Sequence, residues 1–286
     1  MKGLRVNFFH KLAVRVLVVT SIAGLSAAAV SAQKEQAPEP TSDSSILSLP
    51  ILLSGDALDF SFEDTDGAFL AAFNASEGDV VDISMAASAS ELDPYLVVFG
   101  SDGTLLAQDD DSGEQPLDSF VDDFEVPADG TYFILATSFT YRNSAITEGA
   151  EDLTFTLSVD GNTQPADIAE DSFSYFVVTA AVGESFEIPF SADDGNAYFV
   201  TFDGEAGQSV DINAPSDELD TLMMLFDFNG RRIAVDDDGG DAPLAANIAA
   251  ELPEDGLYFL ILTTYDYASV ASGSTVPEGV VNFSIE

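Results

Sequence analysis

The chain contains one sequence pattern twice, and this duplication restricts the folds that it can adopt. The motif DDDSG at 109–113 returns as DDDGG at 236–240, 127 residues later. The run VPADGTYFIL at 126–135 returns as LPEDGLYFLI at 252–261. The repeated unit, about 115 residues long, is far longer than a solenoid repeat, so it predicts two tandem domains.

The first 32 residues predict a secretory signal peptide. They combine a basic start, an apolar run at 16–30 and small residues before Gln33, which is the pattern of a cleaved signal. A retained membrane anchor is the weaker interpretation because the apolar run is short for a membrane span. We therefore expect secretion to the periplasm or the extracellular space, with no membrane insertion after cleavage.

The remaining boundaries follow from composition and from the repeat. Residues 33–45 are rich in Pro, Glu and Ser, which predicts a flexible leader. We assign the first domain to 46–160, a polar, proline-containing linker to 161–172 and the second domain to 173–286. The linker is short, so we expect the two domains to be close neighbours.

The apolar residues of each unit follow strand patterns. The segment ALDFSF at 57–62 alternates apolar and polar residues, as a half-buried strand does. The runs YLVVF at 95–99 and YFLIL at 258–262 are continuous, which is typical of strands covered on both faces. Asp-Gly and Asn-Gly dipeptides between such runs favour tight turns. About eight short strands per unit, with no sustained helical period, predict antiparallel β-sandwiches.

The charge balance excludes several classes of function. The chain has 51 acidic and 8 basic residues, and cleavage after residue 32 changes its net charge from −43 to −47. Such a chain repels nucleic acid and anionic membranes, so no nucleic-acid partner is expected. The single histidine, His10, lies in the predicted signal peptide, and cysteine is absent. The mature chain therefore lacks the residues for Ser-His-Asp or Cys-His catalysis and for imidazole or thiolate metal sites.

The order of the motifs resembles a known family. An Asp before YLVVF, then LLAQDDDSG at 105–113, VPADGTYFIL at 126–135 and the closing TFTLSV at 154–159 resemble the bacterial pre-peptidase C-terminal domain. The second unit repeats this order with LDTLMMLFDFNG at 219–230, IAVDDDGG at 233–240 and LPEDGLYFLI at 252–261. The resemblance covers nearly all of both units.

The resemblance implies an all-β fold, with two tandem jelly-roll-like antiparallel β-sandwich domains, secretion and a non-catalytic accessory role. Such domains flank secreted peptidases and other exoenzymes, and the collagen-binding domains of clostridial collagenases bind calcium and matrix protein. This chain departs from the family's usual setting because it has no catalytic domain. It also lacks a clear acidic leader of the EPNNS type, so the family's calcium ligands are not transferred to it.

The two Asp-Asp-Asp motifs are the candidate metal sites. Adjacent carboxylates repel one another unless a cation neutralises them, and Ca²⁺ is bound by six to eight oxygen atoms. The candidate ligands are Asp93, Asp109, Asp110, Asp111 and Asp118 in the first unit and Asp220, Asp236, Asp237, Asp238 and Asp241 in the second. The spacing is not that of an EF-hand. A solvated loop in a very acidic protein, repeated by duplication alone, stays open as the alternative.

Other polar and aromatic residues have structural interpretations. Tyr132 and Tyr258 follow Asp-Gly turns and are predicted to pack at strand ends. The remaining assignments are loop anchoring, with contact to a sugar or peptide as the alternative, for Tyr141, Tyr265 and Tyr267, solvated strand positions for Asp82 and Asp211, and pairing with nearby acids for Arg231 and Arg232.

Three functions remain open. The first is a secreted, calcium-stabilised accessory protein that is not an enzyme and that contacts extracellular protein or polysaccharide in adhesion, matrix binding or support of an exported partner. The second is a self-associating structural component of an envelope or biofilm. The third is a glycosidase that uses two carboxylates, against which the absence of tryptophan counts, because tryptophan commonly stacks on sugars.

Overall fold

The structure is a computed structural model. It describes residues 35–36, 49–62, 64–88, 93–100, 102–145, 153–165, 177–191, 197–267 and 278–286. The predicted signal peptide and most of the predicted leader and linker lie outside these residues. In the described segments, no helix is long and apolar enough to span a membrane.

The first repeat, residues 49–165, consists of two four-stranded sheets. After β1 (Glu35–Gln36), its strands are β2 (Asp56–Ser61), β3 (Ala68–Ala75), β4 (Val80–Ala87), β5 (Pro94–Phe99), β6 (Leu105–Asp109), β7 (Ser119–Glu125), β8 (Gly130–Ser138) and β9 (Thr154–Gly161). One sheet has the order β2-β9-β4-β7 and the other β3-β8-β5-β6.

The second repeat, residues 177–286, has the same arrangement. Its strands are β10 (Val178–Thr179), β11 (Ser185–Phe190), β12 (Ala197–Gly204), β13 (Ser209–Ala214), β14 (Thr221–Phe226), β15 (Arg232–Asp236), β16 (Ala246–Glu251), β17 (Gly256–Thr264) and β18 (Gly279–Ile285). One sheet has the order β11-β18-β13-β16, with β1 added beside β11, and the other β12-β17-β14-β15, with β10 added beside β12.

Each repeat is therefore an eight-stranded jelly roll made of two antiparallel sheets. The strand orders of the two repeats correspond position by position. This confirms the predicted fold class, an all-β chain with jelly-roll-like antiparallel sandwiches. The leader, predicted to be flexible, contributes Glu35–Gln36 as a short strand that pairs in parallel with β11.

The burial of the strands explains their two sequence patterns. In β4 the inward-facing Val81, Ile83 and Met85 are buried while their neighbours are partly exposed. All six residues of β5 and of β14 are buried. Alternation thus belongs to outer sheets with one solvated face, and continuous apolar runs belong to sheets covered on both faces.

A third hydrophobic core covers the second face of those inner sheets. Besides the core inside each sandwich, a separate buried cluster combines side chains from β3, β5 and β8 with side chains from β12, β14 and β17. Phe133 of the first repeat and Phe199 of the second lie with ring centroids 4.3 Å apart. The two sandwiches are thus packed face to face within one compact unit, Lys34–Glu286.

Reciprocal backbone contacts fix this packing. The turn between β5 and β6 accepts a hydrogen bond from Ala197 N to Gly103 O, 3.1 Å. The turn between β14 and β15 accepts one from Leu70 N to Gly230 O, 2.7 Å. Both glycines have positive φ angles, and a Cβ on either would lie 2.0 Å from the carbonyl oxygen of Ala197 or Leu70. Glycine is therefore required at both turns by conformation and by space.

Candidate cation-binding loops

The first acidic loop, residues 109–118, is held in place by its first aspartate. Asp109 ends β6, and its Oδ2 accepts hydrogen bonds from Ser112 N, 2.9 Å, and Phe120 N, 2.7 Å. The loop closes where Gly113 N donates to Asp118 O, 2.7 Å. Asp109 therefore organises the loop through one of its carboxylate oxygens.

The second acidic loop, residues 236–245, repeats this geometry. Asp236 Oδ2 accepts hydrogen bonds from Gly239 N, 2.7 Å, and Asn247 N, 2.8 Å. Gly240 N donates to Ala245 O, 2.8 Å. The structural equivalent of Asp118 is thus Ala245, whereas the sequence comparison had paired Asp118 with Asp241.

Asp118 and Asp241 differ in environment. Asp118 is 9% exposed, and its carboxylate accepts hydrogen bonds from Ala87 N at 3.2 Å and Gln115 N at 3.3 Å. Asp241 is exposed at the surface of the second loop. The carboxylate of Asp118 is thus used to cap backbone groups of the first repeat.

The structure brings Asp93 together with two carboxylates of the first loop. Partial burial, then repulsion by Asp111 and Asp110, raises the pKa of Asp93, and the guanidinium of Arg142 opposes this shift. Burial and the carboxylates of Asp111 and Asp109 raise the pKa of Asp110 in the same way. These groups form a concentration of negative charge that one cationic side chain partly offsets.

The second repeat places Asp220 in the corresponding position. Partial burial, then the carboxylates of Asp238, Asp237 and Asp266, raises the pKa of Asp220. Burial and the carboxylates of Asp238 and Asp236 raise the pKa of Asp237. In contrast to the first repeat, no cationic side chain contributes to either shift.

A third carboxylate group, absent from the sequence prediction, lies on the outer sheet of the first repeat. Ligand oxygens of Asp82, Asp122 and Asp123 lie within 4.8 Å of one another, and in the described residues this is the group of three that meets this distance. Asp82 Oδ1 accepts a hydrogen bond from Asp123 N, 2.8 Å. The carboxylates of the acidic loops do not approach one another this closely.

A β-bulge creates that third group. The pairing of β4 with β7 shifts between Val81 and Ile83, and Asp123 has a φ angle of 43° less one register step's usual sign, namely +49°. The second repeat has regular pairing here, with Asp211 opposite Ala249. Strand β7 is seven residues long and β16 six, so the extra residue was visible in the sequence.

The predicted structural tyrosines occupy buried positions. Tyr132 Oη donates to Ala128 O, 2.6 Å, and Tyr258 Oη donates to Glu254 O, 2.7 Å. Tyr267 is fully buried in the core between the sandwiches. Tyr265, in contrast, is 42% exposed.

Arg232 has a larger role than its sequence indicated. It is 1% exposed and donates hydrogen bonds to the carbonyl oxygens of Asp66, Tyr141 and Ser144, all in the first repeat. The predicted pairing with an acid is present as an ion pair with Asp66 at 3.8 Å. The main function of Arg232 is therefore to join the two repeats.

Comparison with solved structures gives distant similarities. The pre-peptidase C-terminal domain of collagenase from Bacillus anthracis has 16% identity and a TM-score of 0.30, over 44% of this chain and 100% of that one. PliG from Aeromonas hydrophila, a periplasmic inhibitor of g-type lysozyme, has 20% identity and a TM-score of 0.27, over 38% and 97%. A putative secreted protein from Eubacterium rectale has 9% identity and a TM-score of 0.25, over 83% and 78%.

Comparison at the sequence level identifies one segment. No protein of curated function matches the chain. Residues 70–138, which extend from β3 to the end of β8, match the family described as Bacterial pre-peptidase C-terminal domain. This segment contains the whole first acidic loop, so the first repeat of the chain is similar to that family over its central strands.

Proposed function

We propose that this protein is a secreted, non-catalytic β-sandwich protein of the pre-peptidase C-terminal type, which binds an extracellular protein or polysaccharide. The match of residues 70–138 to that family carries the proposal. The signal-like first 32 residues and the lack of histidine and cysteine in the mature chain support it. The common geometry of the two repeats extends the same role to both.

Calcium stabilisation of the acidic loops is part of this proposal. In both repeats an aspartate before a central strand, Asp93 or Asp220, lies beside two loop carboxylates whose charges repel it. A hard divalent cation with oxygen ligands relieves such repulsion. Because a ligand that binds only the folded state stabilises it by mass action, calcium would raise the free energy of unfolding.

Thermal unfolding of the mature protein tests this role in EDTA, in CaCl₂ and in NaCl of matched ionic strength. We expect calcium to raise the melting temperature well above sodium, since 100-fold saturation adds about 2.7 kcal/mol. The variant D110N/D111N/D237N/D238N should lose this calcium-specific gain. It should also melt higher than the wild type in EDTA, because four mutually repelling charges are removed.

The variant D82N/D122N/D123N is the matched control, because it removes carboxylates from the bulge and leaves the loops intact. It should keep the calcium-specific gain. Loss of the gain in this variant alone would place the ion at the bulge. An equal effect of sodium and calcium on the wild type would refute calcium binding and leave a salt-screened acidic surface.

A further inference from the structure

The two repeats present equivalent exposed aromatic rings beside their acidic loops. Phe139 follows β8 and is 44% exposed, and Tyr265 follows β17 and is 42% exposed. The backbone N–H of Phe139 donates to Asp93 O, 2.8 Å, and that of Tyr265 donates to Asp220 O, 2.9 Å. Each ring therefore lies next to the aspartate that faces the loop carboxylates.

In the first repeat, a guanidinium group of the chain itself occupies this position. Arg142 Cζ lies 4.0 Å from the ring centroid of Phe139 and 5.6 Å from that of Tyr95. Its Nη1 donates to Phe139 O, and its charge lowers the pKa values of Asp93 and Asp110. A cation over an aromatic face with carboxylates nearby is a stabilising arrangement, so the first repeat identifies the chemical group that fits.

The second repeat has the ring and the carboxylates but no corresponding cation. Arg142 is three positions after Phe139, and the residue three positions after Tyr265 is Ala268. In the described part of the chain, the cation–π contacts are those of Arg142. Asp266, directly after Tyr265, adds a further negative charge beside Asp220. The second position thus combines greater negative charge with an exposed ring.

We propose that Tyr265, Asp220 and Asp237 bind an arginine or lysine side chain of a partner protein, as Phe139, Asp93 and Asp110 bind the chain's own Arg142. This inference rests on the proposed function as a binding module and names its partner class, a protein with an exposed basic segment. Arginine is the better fit because its planar guanidinium stacks on aromatic faces and bonds carboxylates. Net charge complementarity with a chain of −47 favours the encounter.

The test uses the mature protein and the uncharged-end peptide Ac-Gly-Gly-Arg-Gly-Gly-NH₂, with a citrulline peptide as the matched probe. Titrations are followed by backbone amide NMR in EDTA and 0.15 M NaCl, which screens non-specific attraction. We expect the amides of Tyr265 and Asp237 to shift with the arginine peptide and not with citrulline. Tyr265→Ala should weaken binding about threefold, in line with an exposed cation–π contact, and Tyr265→Phe should retain it.

A gain of binding gives the decisive result. In Arg142→Ala, the first position loses its internal cation, so the amides of Phe139 and Asp110 should shift as well. Phe139→Ala in the otherwise unchanged protein should leave the response of Tyr265 intact. Equal shifts with citrulline, an unchanged affinity of Tyr265→Ala, or no new shifts in Arg142→Ala would overturn the inference.

The calcium melting experiment separates this inference from the proposed function. Peptide binding at Tyr265 without calcium stabilisation would support the inference and remove calcium from the proposed function. Calcium stabilisation without peptide binding would leave the proposed function in place and overturn the inference. Circular dichroism of each variant establishes that a loss of binding is not a loss of fold.

Discussion

Tyr258 and Tyr267 show how the surroundings of one hydroxyl group decide its contribution to stability. Both rings are 0% exposed. Tyr258 Oη donates to Glu254 O, 2.7 Å, whereas the Oη of Tyr267 is buried with no hydrogen-bond partner. An unpaired buried polar group costs about 1–3 kcal/mol. The same side chain is therefore stabilised by its hydroxyl at one position and destabilised at the other.

We expect Tyr267→Phe to raise the free energy of unfolding by about 1 kcal/mol and Tyr258→Phe to lower it by about 1 kcal/mol. Urea unfolding at pH 8 measures both. Burial also raises the pKa of Tyr267 above its ordinary value of 10.0. Since the unfolded tyrosine ionises first, its stability contribution is complete below pH 10 and falls as the pH rises further. Tyr267→Phe should reduce this alkaline loss, and equal destabilisation by both variants would contradict the assignment.

Single residues were predictable where their partners are close in sequence. The strand-end packing of Tyr132 depends on Ala128, four residues away, and the turn pattern indicated it. The role of Arg232 was not predictable, because its carbonyl partners Asp66 and Tyr141 lie in the other repeat. In the first repeat the equivalent position is Leu105, so comparison of the two repeats also gave no signal.

At the scale of elements, the acidic loops contain strained backbone. Leu117 and Leu244 have φ angles of 75° and 63°, in the left-handed region that costs an L-residue about 1–2 kcal/mol. Both follow a proline, at the same position of the two loops. Leu244 is 50% exposed, so its side chain contributes little packing to offset this strain.

We therefore expect Leu244→Gly to raise the free energy of unfolding by about 1 kcal/mol, because glycine adopts positive φ without steric cost. Leu244→Ala is the control, since alanine removes the exposed side chain and keeps the strain. It should change the stability by less than about 0.5 kcal/mol. Chemical unfolding of both variants measures the difference, and an equal gain in the two would exclude backbone strain as the cause.

Strands were predictable from sequence and irregularities in them were not. The alternating and continuous apolar patterns identified the outer and inner strands because burial of one or two faces produces those patterns directly. The bulge at Asp122 and Asp123 leaves alternation nearly intact. Its single signal was the extra residue in VDDFE at 121–125 relative to IAAE at 248–251, and the closeness of Asp82 to both depends on a register that sequence alone does not specify.

At the scale of the whole molecule, the sequence showed that some strands are covered on both faces and not what covers them. The runs YLVVF and YFLIL required an apolar partner surface. That surface is the inner sheet of the other repeat, more than 100 residues away in sequence, as the contact of Phe133 with Phe199 shows. Tandem domains and a shared core give the same local patterns, so the sequence could not separate them.

The shared core predicts one cooperative unfolding transition for the mature protein. Phe199→Ala, at the core between the sandwiches, should lower stability by about 3–5 kcal/mol and leave a single transition. Ile212→Ala, inside the second sandwich, should lower stability by about 2–5 kcal/mol, also without splitting the transition. Calorimetry checks this through the agreement of calorimetric and van't Hoff enthalpies. Two separate transitions in Ile212→Ala would show that the repeats unfold independently.

The reciprocal contacts of Gly103 and Gly230 also affect how this chain can be inherited. A domain that folds alone can be copied, deleted or recombined without damage to its neighbours. Deletion of either repeat here would expose an apolar sheet face to water, and such faces promote aggregation. Selection therefore acts on the duplicated pair as one heritable unit, in which surface positions such as 142 and 268 can diverge while the two glycines cannot.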